Sequence, residues 1–277
     1  MTDPRRHVTS ETWRDHPGTD LDLELPGGLI LSLDRLDWDS RFFGLPCYRL
    51  LAEGCHVPEV PVAARGLKDA AEAFPRCAIW AKIRPKSPPV LAAALQALGG
   101  EFIETELILG HDGGEAGSAI VEGIRIFESD DLDRPGFVDL GRVFSMTRFH
   151  TDPRIGKKKA DALWTEYLKN YCLSQDRHAF LAEAGGRVVG AVLVSAGQPA
   201  NVLDIVAVAP THAGRGVGRA LIGAAVSWST ATGRLCTVAT QHRNTAAIAF
   251  YQKNGFGRLV SATPVFHLWT PGRGEAL

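Results

Sequence analysis

The 277-residue sequence has no apolar stretch long enough to cross a bilayer, no excess charge of either sign and no Cys-x-x-Cys pair. Each absence narrows the field. A net charge of −1 removes the global field that a nucleic-acid or anionic-membrane binder relies on, so any anion site must be local. The five cysteines (Cys47, Cys55, Cys77, Cys172 and Cys236) are odd in number and scattered, which favours free thiols over a disulfide framework or a metal site. The opening MTDPRRHVTSETWRDHPGTD has no apolar core and does not read as a secretory signal, so a cytoplasmic location is expected. What remains is a composition 45% hydrophobic and 22% charged, that of a soluble globular protein. The length suits two domains of roughly 100–200 residues each.

Residues 1–27 are polar and proline-bearing, and read as an arm. Residues 28–119 read as a smaller α/β domain. It has strands near 30–33, 48–51, 77–83 and 102–109, and helices near 63–74 and 88–98. GHDGGEAGSA, residues 110–119, is the linker candidate. The second domain, residues 120–277, has a strand at 123–129, a helix around 139–145 and a helix at 160–172. A hairpin around Gly185-Gly186 and a strand at 201–209 follow. The remainder alternates a helix from Val217, a strand at 235–240, a helix at 245–254 and a last strand. One echo links the halves. Aligning Gly99 with Gly255 superposes two helix–glycine–strand runs and sets Leu95 opposite Tyr251, as in a worn duplication.

PTHAGRGVGRAL, residues 210–221, places three glycines between the strand DIVAVA and a helix. A helix start offers unpaired N–H groups and the positive end of a dipole, and glycines let an anion approach them. Arg215 and Arg219 add charge. Two readings stand for this turn alone: a pyrophosphate clamp or a tight connection. The spacing of Gly214, Gly216 and Gly218 matches neither the Walker A loop nor the dinucleotide fingerprint.

After the next strand comes NTAAIAFYQKNGF, with Asn244 as N-cap and Gly255 as helix stop. VAVAPTHAGRGVGRAL followed by this run resembles the coenzyme A site of the GNAT N-acetyltransferases. The resemblance implies an α/β (α+β) GNAT fold with a mixed central sheet, the smaller domain being a degenerate copy, and acetyl-CoA as cofactor. It implies that Val206, Ala207 and Val208 pair with the pantetheine arm. Gly214, Arg215, Gly216, Val217, Gly218 and Arg219 would cradle the pyrophosphate. Asn244 would contact the cofactor and Tyr251 would stand beside its sulfur. The pattern departs at Ala213, where many relatives carry Arg or Gln, so backbone amides must carry more of the phosphate binding.

A narrower resemblance rests on LDWDSRFFG, FSMTRFHTDPR, LWTEYLKNY and TVATQHRNTAAIAFYQKNG. These are similar to the TDP-fucosamine acetyltransferase family, which N-acetylates an amino sugar carried on a nucleotide. The implied reaction needs a general acid for the leaving thiolate, assigned to Tyr251, against the alternative of a core tyrosine. For the base, Asp204 stands against a strand-end aspartate paired with an arginine. His150 stands against an exposed or capping histidine. Arg148 meets a substrate phosphate or is a surface arginine. Trp38, Phe42 and Phe43 wall the acceptor site or fill a core. Lys157, Lys158 and Lys159 attract a nucleotide or are a solvated face. No metal is expected. The expected partners are a small-molecule amine and a second copy in a homodimer. N-acylation of an aminoglycoside or other metabolite, peptide acetylation, and non-catalytic acyl-CoA sensing remain as rivals.

Overall fold

A computed structural model describes residues 7–8, 21–25, 29–53, 59–73, 76–84, 87–88, 90–113 and 120–270. Its contacts divide the chain into two compact units, Met1–Thr105 with Thr263–Leu277, and Glu106–Ala262. The sequence had put the division at 119/120. Residues 114–119 of the expected linker lie outside the described residues, as does Cys55.

The first unit carries a mixed sheet in the order β1 (His7–Val8), β2 (Leu21–Leu25), β3 (Leu29–Arg35), β4 (Cys47–Glu53), β5 (Ala78–Lys82), with the end of β12 (Arg258–Trp269) antiparallel to β5. Two strands thus fall inside the expected arm. The alternation Leu21-Asp-Leu-Glu-Leu is a period-two strand signal that the polar residues around it obscured. Ile79 and Ala81 of β5 face one side, where they join Leu31, Leu33, Leu50, Leu67 of α2 (Val60–Ala73) and Leu91 and Leu95 of α3 (Val90–Ala97) in a core. Burying each such leucine contributes about 1.5–3 kcal/mol. Trp80 faces the other way. It packs on Phe43 at 5.8 Å and on Trp269 at 5.5 Å, and donates Nε1–H to Asp39 at 2.8 Å. Phe43 and Asp39 belong to α1 (Asp37–Phe43), a helix the sequence reading did not anticipate, and Gly44 stops it.

The second unit has the order β6 (Glu101–Gly110), β11 (Leu235–Gln241), β10 (Ala200–Val208), β9 (Arg187–Ser195), β8 (Arg177–Ala184), β7 (Arg125–Ser129), with β6 entering it from Glu106. Only β10 and β11 pair in parallel; the other neighbours are antiparallel. One face holds α6 (Val217–Ala231) and α7 (Thr245–Lys253) over Val192, Val194, Leu203 and Val238. The other holds α5 (Lys157–Lys169) over Leu181, Leu193, Ile205 and Ala207. The helix expected at 139–145 is a 3-10 turn, Val138–Val143. α5 starts three residues earlier than expected and ends where the Asn170 side chain takes up the Glu166 carbonyl at 2.7 Å. No helix among the described residues is long and apolar enough to cross a membrane.

Candidate active site

The site is built on the divergence of two parallel strands. β10 pairs with β11 over Ala200↔Leu235 to Leu203↔Val238 and no further, although both strands continue. A buried network fixes the paired end. Asn201, fully buried, donates Nδ2–H to Ser229 Oγ at 3.0 Å and accepts the Gly197 N–H on Oδ1 at 3.2 Å. Cys236 Sγ lies 2.9 Å from the same serine oxygen. On its other edge β11 keeps its pairing with β6 throughout, from Thr237↔Gly110 to Gln241↔Glu106.

The opening begins at a β-bulge. The β9–β10 register runs Val202↔Ser195, Leu203↔Val194, then Ile205↔Leu193, leaving Asp204 as the extra residue. The bulge resets which face each side chain takes. Ile205 and Ala207 pack on the α5 side, and Val206 and Val208 on the α6 side. It also orders the backbone. The Ala209 N–H donates to Val189 O across the β9 edge at 2.8 Å. Hydrogen-bonding groups alternate edges along a strand, so the N–H and C=O of Val206 and Val208 turn to the edge that β11 has left.

At the end of this open edge stands the glycine turn. Gly214 and Gly216 have φ of +74° and +85°, a region costly for other L-residues, and Gly216 is the N-cap of α6 without a side-chain cap. The first N–H groups of α6 at Val217, Gly218 and Arg219 therefore meet no capping side chain. Gly218 serves packing: a Cβ there would lie 3.0 Å from Phe250 Cζ. Arg215 and Arg219 are exposed.

Tyr251, on α7 beside this junction, is 7% exposed and packs on Phe250 and Phe256. Burial pushes its hydroxyl pKa well above the ordinary tyrosine value. Asn244 caps α7, its Oδ1 accepting the Ala247 N–H at 3.1 Å. On the α5 face the Ser195 hydroxyl donates to Asp204 Oδ2. Part of the Asp204 side chain reaches solvent, yet desolvation raises its carboxyl pKa, with Ser195 and Arg177 opposing. Tyr171 and Tyr167 stand nearby, and the Tyr171 hydroxyl is buried beside Ser195 without a well-formed hydrogen bond.

The other candidate residues have protein contacts of their own. His150 closes a capping box on α4 (Arg148–Thr151), with Nδ1 2.8 Å from Thr147 Oγ1 and Nε2 3.2 Å from Asp161 Oδ1. Both ring nitrogens thus have protein partners. Arg148 lies over the Phe149 ring at 4.6 Å. Arg243 donates to the Thr151 hydroxyl, tying α4 to the loop after β11. Lys157 pairs with Asp161 at 2.6 Å on an exposed helix start. Trp38, stacked on Phe42 at 5.4 Å, and Phe43, 6% exposed, belong to the first unit. Ser195 had no signal in the sequence, whereas Tyr167, Tyr171 and Arg243 lie within the runs LWTEYLKNY and TVATQHRNTAAIAFYQKNG, where no role was read for them individually. Among the described residues no His/Cys/Asp/Glu group is arranged to hold a metal.

Comparisons with known proteins give this mixed sheet, whose central parallel strands part beside an uncapped helix, as the GNAT fold. Residues 144–256 match the family model described as acetyltransferase (GNAT) family. A crystal structure of a GCN5-related N-acetyltransferase from Sphaerobacter thermophilus is similar over 95% of this chain and 86% of its own, at 16% identity and a TM-score of 0.58. A tandem GNAT protein from the clavulanic acid biosynthesis pathway is similar over 97% of this chain and 88% of its own, at 18% identity and a TM-score of 0.55. The spore coat polysaccharide biosynthesis protein SpsD of Bacillus subtilis (strain 168) is 26% identical over 143 residues, 51% of this chain. The match spans 49% of that relative's length.

Proposed function

We propose that the protein is an acetyl-CoA-dependent N-acetyltransferase whose acceptor is the amine of a nucleotide-linked amino sugar. The observation that carries this reading is the open edge of β10 running into the uncapped start of α6. An extended amide chain fits the backbone groups of Val206 and Val208. A diphosphate fits the N–H groups of Val217, Gly218 and Arg219, with Arg215 and Arg219 beside it. When bound, acetyl-CoA supplies an activated acetyl thioester.

The chain's own groups then have distinct tasks. The Val208 N–H, at the open edge, is placed to donate to an oxygen gaining negative charge. Asp204, its pKa raised, is the base that takes a proton from the acceptor ammonium, directly or through water. Tyr251 holds a proton on its buried hydroxyl. Burial disfavours the phenolate, so the proton stays on the hydroxyl throughout the working pH range, and the acid role is donation of that O–H to the leaving thiolate. His150 is left out of proton transfer, since Thr147 and Asp161 occupy its nitrogens. The half-length likeness to a polysaccharide-biosynthesis protein supports the amino-sugar acceptor.

Thiol release measured with acetyl-CoA across an amine panel tests this. The panel holds nucleotide-linked amino sugars, free hexosamines and aminoglycosides. The highest kcat/KM is expected for a nucleotide-linked amino sugar. Preference for a free aminoglycoside would replace the acceptor. Cofactor binding without any amine-stimulated release would leave a sensor rather than an enzyme.

A further inference from the structure

We infer that Ser195 is a positioning residue that orients the Asp204 carboxylate at the start of the strand opening. The inference rests on the reading of Asp204 as the base and adds the group that aims it. As the bulged residue, Asp204 is not fixed by a cross-strand partner, so its side chain needs another tether. Ser195 ends β9 directly opposite Val202 and, on its other edge, opposite Arg177 of β8. Directly opposed residues share a face, which sets the Ser195 hydroxyl on the α5 side with Asp204. It donates its single proton to Asp204 Oδ2. Oδ1 is thereby left to receive a proton from the acceptor, and the carboxylate is held in one orientation.

The groups facing Asp204 are Ser195 from β9, Arg177 from β8, Tyr167 from α5 and Tyr171 just beyond it. Arg177 lies over the Tyr171 ring at 5.2 Å. Desolvation favours the neutral acid, while the Ser195 hydrogen bond and the Arg177 charge favour the carboxylate. Removing the hydroxyl therefore raises the carboxyl pKa further. Because the base acts deprotonated, the acidic limb of activity moves to higher pH.

The experiment compares full-length Ser195→Ala, Ser195→Thr and Asp204→Asn with the parent. The Asp204 carboxyl is followed by carbon-13 NMR titration, its signal assigned by its loss in Asp204→Asn. The acidic limb of kcat/KM is measured by thiol release with acetyl-CoA and a nucleotide-linked amino sugar. Ser195→Ala should raise the titration midpoint by about one pH unit and carry the limb with it. Ser195→Thr, which keeps the hydroxyl, should leave both near the parent. A Ser195→Ala variant that is less stable but titrates as the parent does would overturn the inference and leave the base reading standing. Parental turnover by Asp204→Asn would overturn the base reading, and the inference with it.

Discussion

Two runs of the chain have the same order of elements and different contents. β4–α2–β5–α3–β6 lies largely in the first unit, and β10–α6–β11–α7–β12 largely in the second. Each starts with a short parallel pairing, Cys47↔Ala78 to Leu50↔Ala81 and Ala200↔Leu235 to Leu203↔Val238. Each second helix ends on a left-handed glycine, Gly99 at φ +78° and Gly255 at φ +87°. The closing bonds match as well, Gly100 N–H to Leu95 O at 2.8 Å and Phe256 N–H to Tyr251 O at 3.0 Å. The contents then part. Leu95 is fully buried in one core, whereas Tyr251 carries a hydroxyl into the other. β10 carries a bulge at Asp204, and α6 starts on an uncapped glycine. The repeated framework supplies stability, and the proposed chemistry draws on the departures from it.

The largest expected contrast is between the two aligned positions. Tyr251→Phe should lower kcat about 100-fold at unchanged coenzyme A affinity, read by thiol release and calorimetry. Leu95→Ala should cost ~2–5 kcal/mol of stability, read by urea denaturation, because it hollows a packed core. Equal losses of stability from both would erase the distinction between site and core. The two glycine stops give the next contrast. Gly99→Ala meets nothing within 4 Å and should cost only the left-handed backbone term, ~1–2 kcal/mol. Gly255→Ala would put a Cβ 2.6 Å from His111 Nε2 and should cost about 1–3 kcal/mol more. Similar denaturation midpoints for the two variants would show that His111 yields freely. An effect of similar size is expected at the paired end of the opening. Asn201→Ala removes the donor to the buried Ser229 oxygen and should cost ~1–3 kcal/mol.

Much of this was legible in the residues because it depends on local periodicity. The hairpin around Gly185-Gly186, the strand before the glycine turn, and the helix capped by Asn244 and stopped by Gly255 all follow from neighbours in sequence. The bulge was not legible. In Asp-Ile-Val-Ala-Val every residue after the aspartate is apolar, so nothing in the pattern marks where the alternation shifts. Strand divergence is a tertiary fact that the sequences of β10 and β11 do not encode separately. The binding of both His150 nitrogens needed Asp161 from the next helix. The α1 helix was hidden by the apolar and aromatic residues of Asp-Trp-Asp-Ser-Arg-Phe-Phe. Its stop at Gly44 and the Ser40 hydroxyl bonded to Leu36 O at 2.7 Å are what define it.

The central claim is that free backbone amides at the start of α6 hold a diphosphate beside the open edge of β10. Calorimetric titration of the full chain with coenzyme A, run in parallel on Gly216→Val, tests it most directly. The parent should bind, and the variant, forced out of its left-handed cap, should bind at least about tenfold more weakly. A parent that gives no heat, or a variant that binds as tightly as the parent, would contradict the account.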